Sequence, residues 1–335
     1  MKEILNHLYN YQTLDRSIAK TILTNIAEAR YSTSQVAAFL TVFNMRPITP
    51  EELAGFRDAM LEVSVKIDLQ ELETIDVCGT GGDGKNTFNI STLSAFILAG
   101  AGIHVSKHGN YGVSSACGSS NLMEHFGYRF TNSQSQLLAE IESAGICYLH
   151  APLFHPAMKN IGPIRKELAV KTFFNLLGPL INPSNPTFQF AGVFNLETAR
   201  LYTYSLRQTT RNFCVVHSLD GYDEISLTGQ FKAISRDSEK LYLPEDLNLP
   251  RISADEIWGG DTIPDAAEIF ISVLRNEATP AQKDVVMANT AFALACARQT
   301  QDIESCLAEA DESLVSGKAL NAFNKLLSIN KTFAA

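Results

Sequence analysis

From the first residue to about residue 70 the apolar positions recur at helical intervals. Ile4, Leu5 and Leu8 open one stripe, and Ile18, Ile22 and Ile26 form another after Asp15. Val36, Phe39, Leu40 and Phe43 follow the polar run Ser32-Thr33-Ser34. Thr49-Pro50-Glu51-Glu52 is a capping box with proline in the first turn, and Leu53, Phe56, Met60 and Val63 line one side of the helix it starts. The period then changes. Residues 74–78, 103–106, 146–149, 189–193 and 213–218 are short apolar or β-branched runs that read as buried strands. Helical patterns separate them: one from Ile90, one through Leu137, Leu138 and Ile141 after a cap at Asn132, one over 155–168 broken by Pro163, and one over 197–206. Residues 224–227, 231–234 and 241–243 predict an antiparallel appendage turning at Thr228-Gly229, and four helices over 264–274, 280–297, 303–315 and 319–329 close the chain. Strands alternating with helices imply a mostly parallel sheet. The expected fold class is α/β: a small all-helical domain over 1–70, and a large α/β domain over 71–335 with helices around its sheet. A helical segment near 160–182 joins the two.

Composition narrows the class. The chain has 335 residues, 45% of them hydrophobic, and a mean hydropathy near zero, as expected of a soluble protein with a large core. No run approaches 18 consecutive apolar residues, and no hydrophobic core follows the charged start Met1-Lys2-Glu3, so neither a membrane span nor a signal peptide is expected. The six cysteines form no C-x-x-C pair and read as thiols of a reducing cytoplasm. A net charge of −9 argues against nucleic acid as the partner, because duplex binding needs a basic surface. It leaves room for a small polyanion held by main chain, metal and a few placed cations.

The chemistry concentrates after the first strand. Gly79, Gly81, Gly82 and Gly84 arrive within six residues, with Thr80 and Asp83 between them, and a helix opens at Ile90 behind Asn89. Glycine lets main-chain N–H groups turn onto an oxyanion, and a helix N-terminus favours negative charge. A tight βα turn without ligand is the alternative. From Gly84 to Met123 there is no Asp or Glu, while Lys85, Lys107, His108 and many hydroxyls lie in the same stretch. The spacing fits neither the P-loop nor the dinucleotide fingerprint. A second polar loop, 107–120, holds Gly109, Gly112, Gly118, Ser114, Ser115, Ser119 and Ser120. Loops at the carboxyl ends of neighbouring parallel strands converge, which predicts a two-walled phosphate cradle. Asp223 and Glu224 follow another strand; they are either a solvated pair or a magnesium site completed by substrate phosphates. Arg165 is either a surface ion-pair partner or a fork for a carboxylate. No H-E-x-x-H or cysteine cluster suggests zinc, and His108 and His155 read as polar pocket walls.

Asp76-x-x-Gly79-Thr80-Gly81-Gly82-Asp83, Thr87-Phe88-Asn89-Ile90-Ser91-Thr92 and Lys107-His108-Gly109-Asn110 together resemble the anthranilate phosphoribosyltransferases of tryptophan biosynthesis. His155-Pro156-Ala157-Met158-Lys159, Pro163-Ile164-Arg165 and Phe174-Asn175-Leu176-Leu177-Gly178-Pro179 extend the resemblance, which runs nearly end to end. It implies transfer of the phosphoribosyl group of 5-phosphoribosyl 1-pyrophosphate to the amine of anthranilate, with release of pyrophosphate. It implies that Gly79, Gly82, Asp83, Thr87, Asn89, Ile90, Ser91, Thr92, Lys107, His108, Gly109, Asn110, Tyr111, Gly112, Val113, Ser114, Ser115 and Ser119 contact the donor. Gly79, Asn110 and Arg165 would hold anthranilate. Ser91, Asp223 and Glu224 would bind Mg2+, two ions per chain. A homodimer through the helical domain is also implied. No residue is assigned as a general acid or base, since an aromatic amine is neutral and nucleophilic at pH 7.

Two positions depart from the family pattern. Tyr111 stands where an arginine is usual, which removes a cation beside the phosphates, and Asn121 replaces an acid at a helix start. A pyrimidine nucleoside phosphorylase is an alternative, but that family has Lys-His-Ser where this chain has Lys107-His108-Gly109. A non-enzymatic nucleic-acid-binding relative is opposed by the net charge and by the Asp223-Glu224 pair.

Overall fold

The computed structural model describes residues 1–112, 115–209, 211–300 and 302–334. Four helices come first: α1 (Lys2–Tyr9), α2 (Arg16–Ala27), α3 (Thr33–Met45) and α4 (Pro50–Glu62). Their starts follow from capping chemistry. The Asp15 side chain accepts from Ile18 N, and Ser32 with Gln35 and Thr49 with Glu52 close reciprocal boxes. Glu52 is fully buried yet fully used, pairing with Arg46 at 2.5 and 2.9 Å and accepting from Leu14 N and Thr49 N.

The remaining elements are β1 (Thr74–Gly79), α5 (Ile90–Gly100), β2 (His104–Gly109), α6 (Ser119–His125), α7 (Gln134–Ala144), β3 (Ile146–His150), α8 (Ala151–Phe154) and α9 (Met158–Leu168). They continue with β4 (Phe188–Gly192), α10 (Leu196–Arg207), β5 (Asn212–Ser218), β6 (Phe231–Ser235) and β7 (Glu239–Tyr242), and end with α11 (Ile263–Leu274), α12 (Pro280–Arg298), α13 (Ile303–Val315) and α14 (Lys318–Ala334). The sheet order is β3-β2-β1-β4-β5-β6-β7, parallel from β3 through β5 and antiparallel beyond. The chain steps outward from β1 to β3, then crosses back to β4 on the other side of β1. Such a reversal next to β1 marks the carboxyl end of that strand as the usual ligand position in such sheets.

Alternation along β1 sends Ile75 and Val77 into a core shared with α5, α11, α12 and α14. A second core runs from the N-terminal helices through Ile161, Ile164, Phe173 and Phe174 to β4, β5 and α10. Within it Phe56 stacks on Phe173 at 4.3 Å, and Phe173 stacks on Phe174 at 4.8 Å. A small helical unit ahead of an α/β unit with a mostly parallel sheet is therefore the observed fold.

Three local expectations need correction. Residues 224–227 form no strand: Asn289 on α12 takes both main-chain groups of Ile225, and the Ser218 hydroxyl bonds Glu224 O and Ser226 N. Side chains thus replace the ladder there, and Leu227 adopts a left-handed φ of 57°. Strand β2 runs on through Lys107, His108 and Gly109, because β3 matches it residue for residue as far as His150. Helix α7 starts one residue later than a cap at Asn132 would set it, with Ser133 in the cap position.

Candidate active site

A cleft of ≈ 560 Å³ opens at the carboxyl ends of β1 and β2. Its first wall is the glycine loop. Gly81, Gly82 and Gly84 have φ of 65°, 74° and 76°, conformations that side-chain-bearing residues rarely take. Thr80 N donates to Gly192 O at 2.9 Å, which stitches the loop to β4. Gly81 N donates to Asp223 Oδ2 at 2.6 Å. That approach needs bare backbone, since a Cβ on Gly79 would strike the Asp223 carboxylate and one on Gly192 its carbonyl.

Asp223 and Glu224 are both buried at the cleft floor. Burial, reinforced by Asp83 and by Glu224, holds the Asp223 pKa well above the ordinary carboxylate range. Burial raises Glu224 as well, against the opposing pull of Lys107 and hydrogen bonds from Ser91. Two raised carboxyls thus lie beside a third acid, Asp83, with Lys107 opposing them. Among the described residues no group of three or more His, Cys, Asp or Glu is arranged to hold a metal ion unaided. That fits magnesium, which takes one or two carboxylates and completes its shell with water and phosphate oxygens.

The second wall is the end of β2 together with residues 110–119. Lys107 is 1% exposed and donates to Val77 O at 2.7 Å, so it delivers its charge from beneath the floor. His108 N donates to Asp76 Oδ1 at 3.1 Å, which ties β2 to β1. Asn89 Nδ2 donates to Cys117 O at 3.0 Å and joins the two walls. Asn121 sits in the first turn of α6, where its Oδ1 accepts from Gly112 N and Gly118 N at 2.9 and 3.1 Å. A neutral amide meets that need. Tyr111 is exposed and packs edge-on against His150 at 5.0 Å.

The far end is more apolar. Arg165 lies across the Phe174 ring at 5.3 Å and donates to Asn175 Oδ1 at 3.2 Å. No carboxylate pairs with it among the described residues. His108 and His155 lie 5.3 Å apart, ring to ring. Burial lowers their pKa values to about 4 and about 3, so both are neutral near pH 7. His108 Nδ1 donates to Gly178 O, which leaves its Nε2 without a partner.

Every described residue that the sequence singles out as a contact lines this one cleft: Gly79, Gly82, Asp83, Thr87, Asn89 to Thr92, Lys107 to Gly112, Ser115, Ser119, Arg165, Asp223 and Glu224. Val113 and Ser114 lie outside the described residues. Sequence reasoning missed two residues. Asn175 holds Arg165, and Lys171, whose ammonium donates to Gly82 O, clamps the glycine loop from the segment after α9. Neither interrupts a period, and the motif that includes Asn175 gives that residue no role.

Residues 71–320 match the glycosyl transferase family a/b domain, and residues 2–64 match the helical bundle domain of the same family. Anthranilate phosphoribosyltransferase of Flavobacterium johnsoniae is 57% identical over 97% of this chain and 98% of its own length. That of Bacteroides thetaiotaomicron is 54% identical over 98% and 99%. The crystal structure of the Thermus thermophilus enzyme superposes with a TM-score of 0.92 at 30% identity, covering 98% of this chain and 99% of its own. The Saccharomyces cerevisiae enzyme in complex with PRPP and Mg gives 0.91 at 25% identity, covering 98% and 97%. With both of its regions matched and relatives of this identity along nearly its whole length, the chain belongs to the anthranilate phosphoribosyltransferase family.

Proposed function

We propose that the protein transfers the phosphoribosyl group of 5-phosphoribosyl 1-pyrophosphate (PRPP) to the amine of anthranilate, in tryptophan biosynthesis. One observation carries the reading: the glycine loop, the end of β2 and the Asp223-Glu224 pair face one cleft, and at its other end stands an arginine that pairs with no carboxylate among the described residues. The ribose C1–O bond to pyrophosphate breaks, a C1–N bond to anthranilate forms, and the amine proton passes to solvent. With Thr80 N and Gly81 N already given to Gly192 O and Asp223, the main chain at Gly79 and Gly82 and the hydroxyls of Thr87, Ser91, Thr92, Ser115 and Ser119 hold the donor and offset charge growing on the leaving oxygen. Arg165 grips the anthranilate carboxylate beside Gly79 and Asn110, and so aims the amine at C1. Ser91, Asp223 and Glu224 would hold magnesium, which when bound supplies positive charge to the pyrophosphate oxygens. The family resemblance carries the count of two ions per chain.

The packing of Ile161, Ile164 and Phe173 among the N-terminal helices supports a domain boundary near residue 70, with 160–182 as the joining segment. The helical domain pairs two copies into a homodimer.

The test is direct. Protein, PRPP and magnesium are mixed with anthranilate, and loss of anthranilate fluorescence is followed. The expected result is rapid loss that a chelator abolishes and added magnesium restores. A rate no greater than in protein-free buffer overturns the assignment. Calorimetric titration of magnesium into PRPP-loaded protein checks the count, and a stoichiometry of one refutes the second ion.

A further inference from the structure

Tyr148, on β3, stands one layer behind the cleft. It is fully buried and not among the residues that line the cavity. Its hydroxyl donates to Ser119 Oγ at 2.7 Å. Ser119 does line the cavity, beside Asn110. The room for this contact is made by Gly109: a Cβ there would collide with the Tyr148 hydroxyl and come within 2.6 Å of Ser119 Oγ. Behind Tyr148 the chain of polar groups continues, with Ser120 Oγ 3.2 Å from the phenol oxygen and 2.8 Å from His150 Nδ1. The His150 ring is fixed by stacking on Phe130 at 4.1 Å.

A phenol has one proton. With that proton committed to Ser119 Oγ, the serine's own proton cannot point back at Tyr148. Its other acceptor is Asn110 O, at 3.4 Å, which is long for an O–H···O bond. That long bond is one that a better acceptor on the cleft side can displace. Burial pushes the Tyr148 phenol well above its ordinary range, so it remains a donor at any working pH.

We propose that Tyr148 is a positioning residue for the donor phosphates: it sets the Ser119 hydroxyl so that its proton meets a phosphate oxygen of PRPP. This rests on the reading of the cleft as a PRPP site. Without the phenol, the Ser119 oxygen loses its short anchor, and the site must order that hydroxyl on binding. The effect falls chiefly on the donor, since the Ser119 proton is aimed at a phosphate oxygen and Ser119 touches the anthranilate contacts only through the Asn110 carbonyl.

Full-length Y148F, S119A and the double variant are compared with the unaltered protein for the KM of PRPP, the KM of anthranilate and the thermal midpoint. Each single change is expected to raise the KM of PRPP by roughly 3- to 10-fold, the range of one neutral hydrogen bond. The double variant should be no worse than S119A, because Tyr148 acts only through Ser119, and the KM of anthranilate should rise less than that of PRPP in all three. An unchanged KM of PRPP in Y148F overturns the proposal. So do effects that multiply in the double variant, or equal rises in both KM values with a fallen midpoint, which would mark a merely structural role. Should Y148F not fold, S119A is decisive: no change in its KM of PRPP overturns the proposal. Turnover by the unaltered protein together with an inert Y148F sinks only the role of Tyr148. No turnover by the unaltered protein sinks the reading of the cleft, and this proposal with it.

Discussion

Arg165 shows what a single side chain reveals and hides. Sequence leaves it open between a surface ion pair and a carboxylate fork; in the fold it rests on Phe174, bonds Asn175, and meets no carboxylate among the described residues. A charge-assisted bidentate contact contributes roughly 1.5–3 kcal/mol, so Arg165→Ala is expected to raise the KM of anthranilate by about 10- to 100-fold. The KM of PRPP should move by less than about twofold. Steady-state kinetics against each substrate in turn checks this, and parallel increases would remove Arg165 from the acceptor site. Asn175 and Lys171 are not legible in the sequence, for a physical reason. Their roles come from where the segment after α9 folds back, a tertiary fact with no local period.

Elements are legible where a period or a cap speaks, and illegible where side chains take over the main chain. The capping box of α4 stands where Thr49 places it, and the polar run at Ser32 supplies a second box with Gln35 that the sequence reading does not name. The run 224–227 has the composition of a strand, but Asn289 captures Ile225 first, and nothing in the run itself announces a residue 64 positions away. Lys107 and His108 look like loop because they are polar; Val77 O and Asp76 bury them within β2. The α4 box has an energetic consequence. Glu52 is buried, and Arg46 is nearly so, its side chain 9% exposed. Removing one member of such a pair strands the other, at a cost of roughly 3–5 kcal/mol. Glu52→Gln should therefore lower the midpoint of urea unfolding with little change in slope, and a midpoint equal to that of the unaltered protein would show the pair to be dispensable.

At the scale of the whole molecule, a net charge of −9 coexists with a site for polyanions because charge is placed rather than abundant. No helix among the described residues is long and apolar enough to cross a membrane. Large apolar groups are nevertheless exposed on the helical region, including Tyr11 at 80% and Met45 at 79%. Helices α1 and α3, which end beside these two residues, pack together, and exposed apolar surface of this kind supports the proposed homodimer. Sedimentation equilibrium is expected to return twice the chain mass, with Met45→Glu shifting it toward a single chain. A unit mass for the unaltered protein at micromolar concentration would refute the pairing. The stacking of Phe173 on Phe56 has a mechanical corollary. The arm that carries Arg165, the proposed clamp on the nucleophile, is rooted in the bundle, whereas the proposed pyrophosphate grip is rooted in the sheet. Any tilt of one body against the other alters the gap that nitrogen must cross to reach carbon, so turnover is exposed to whatever stiffens or loosens helices remote from the reacting atoms.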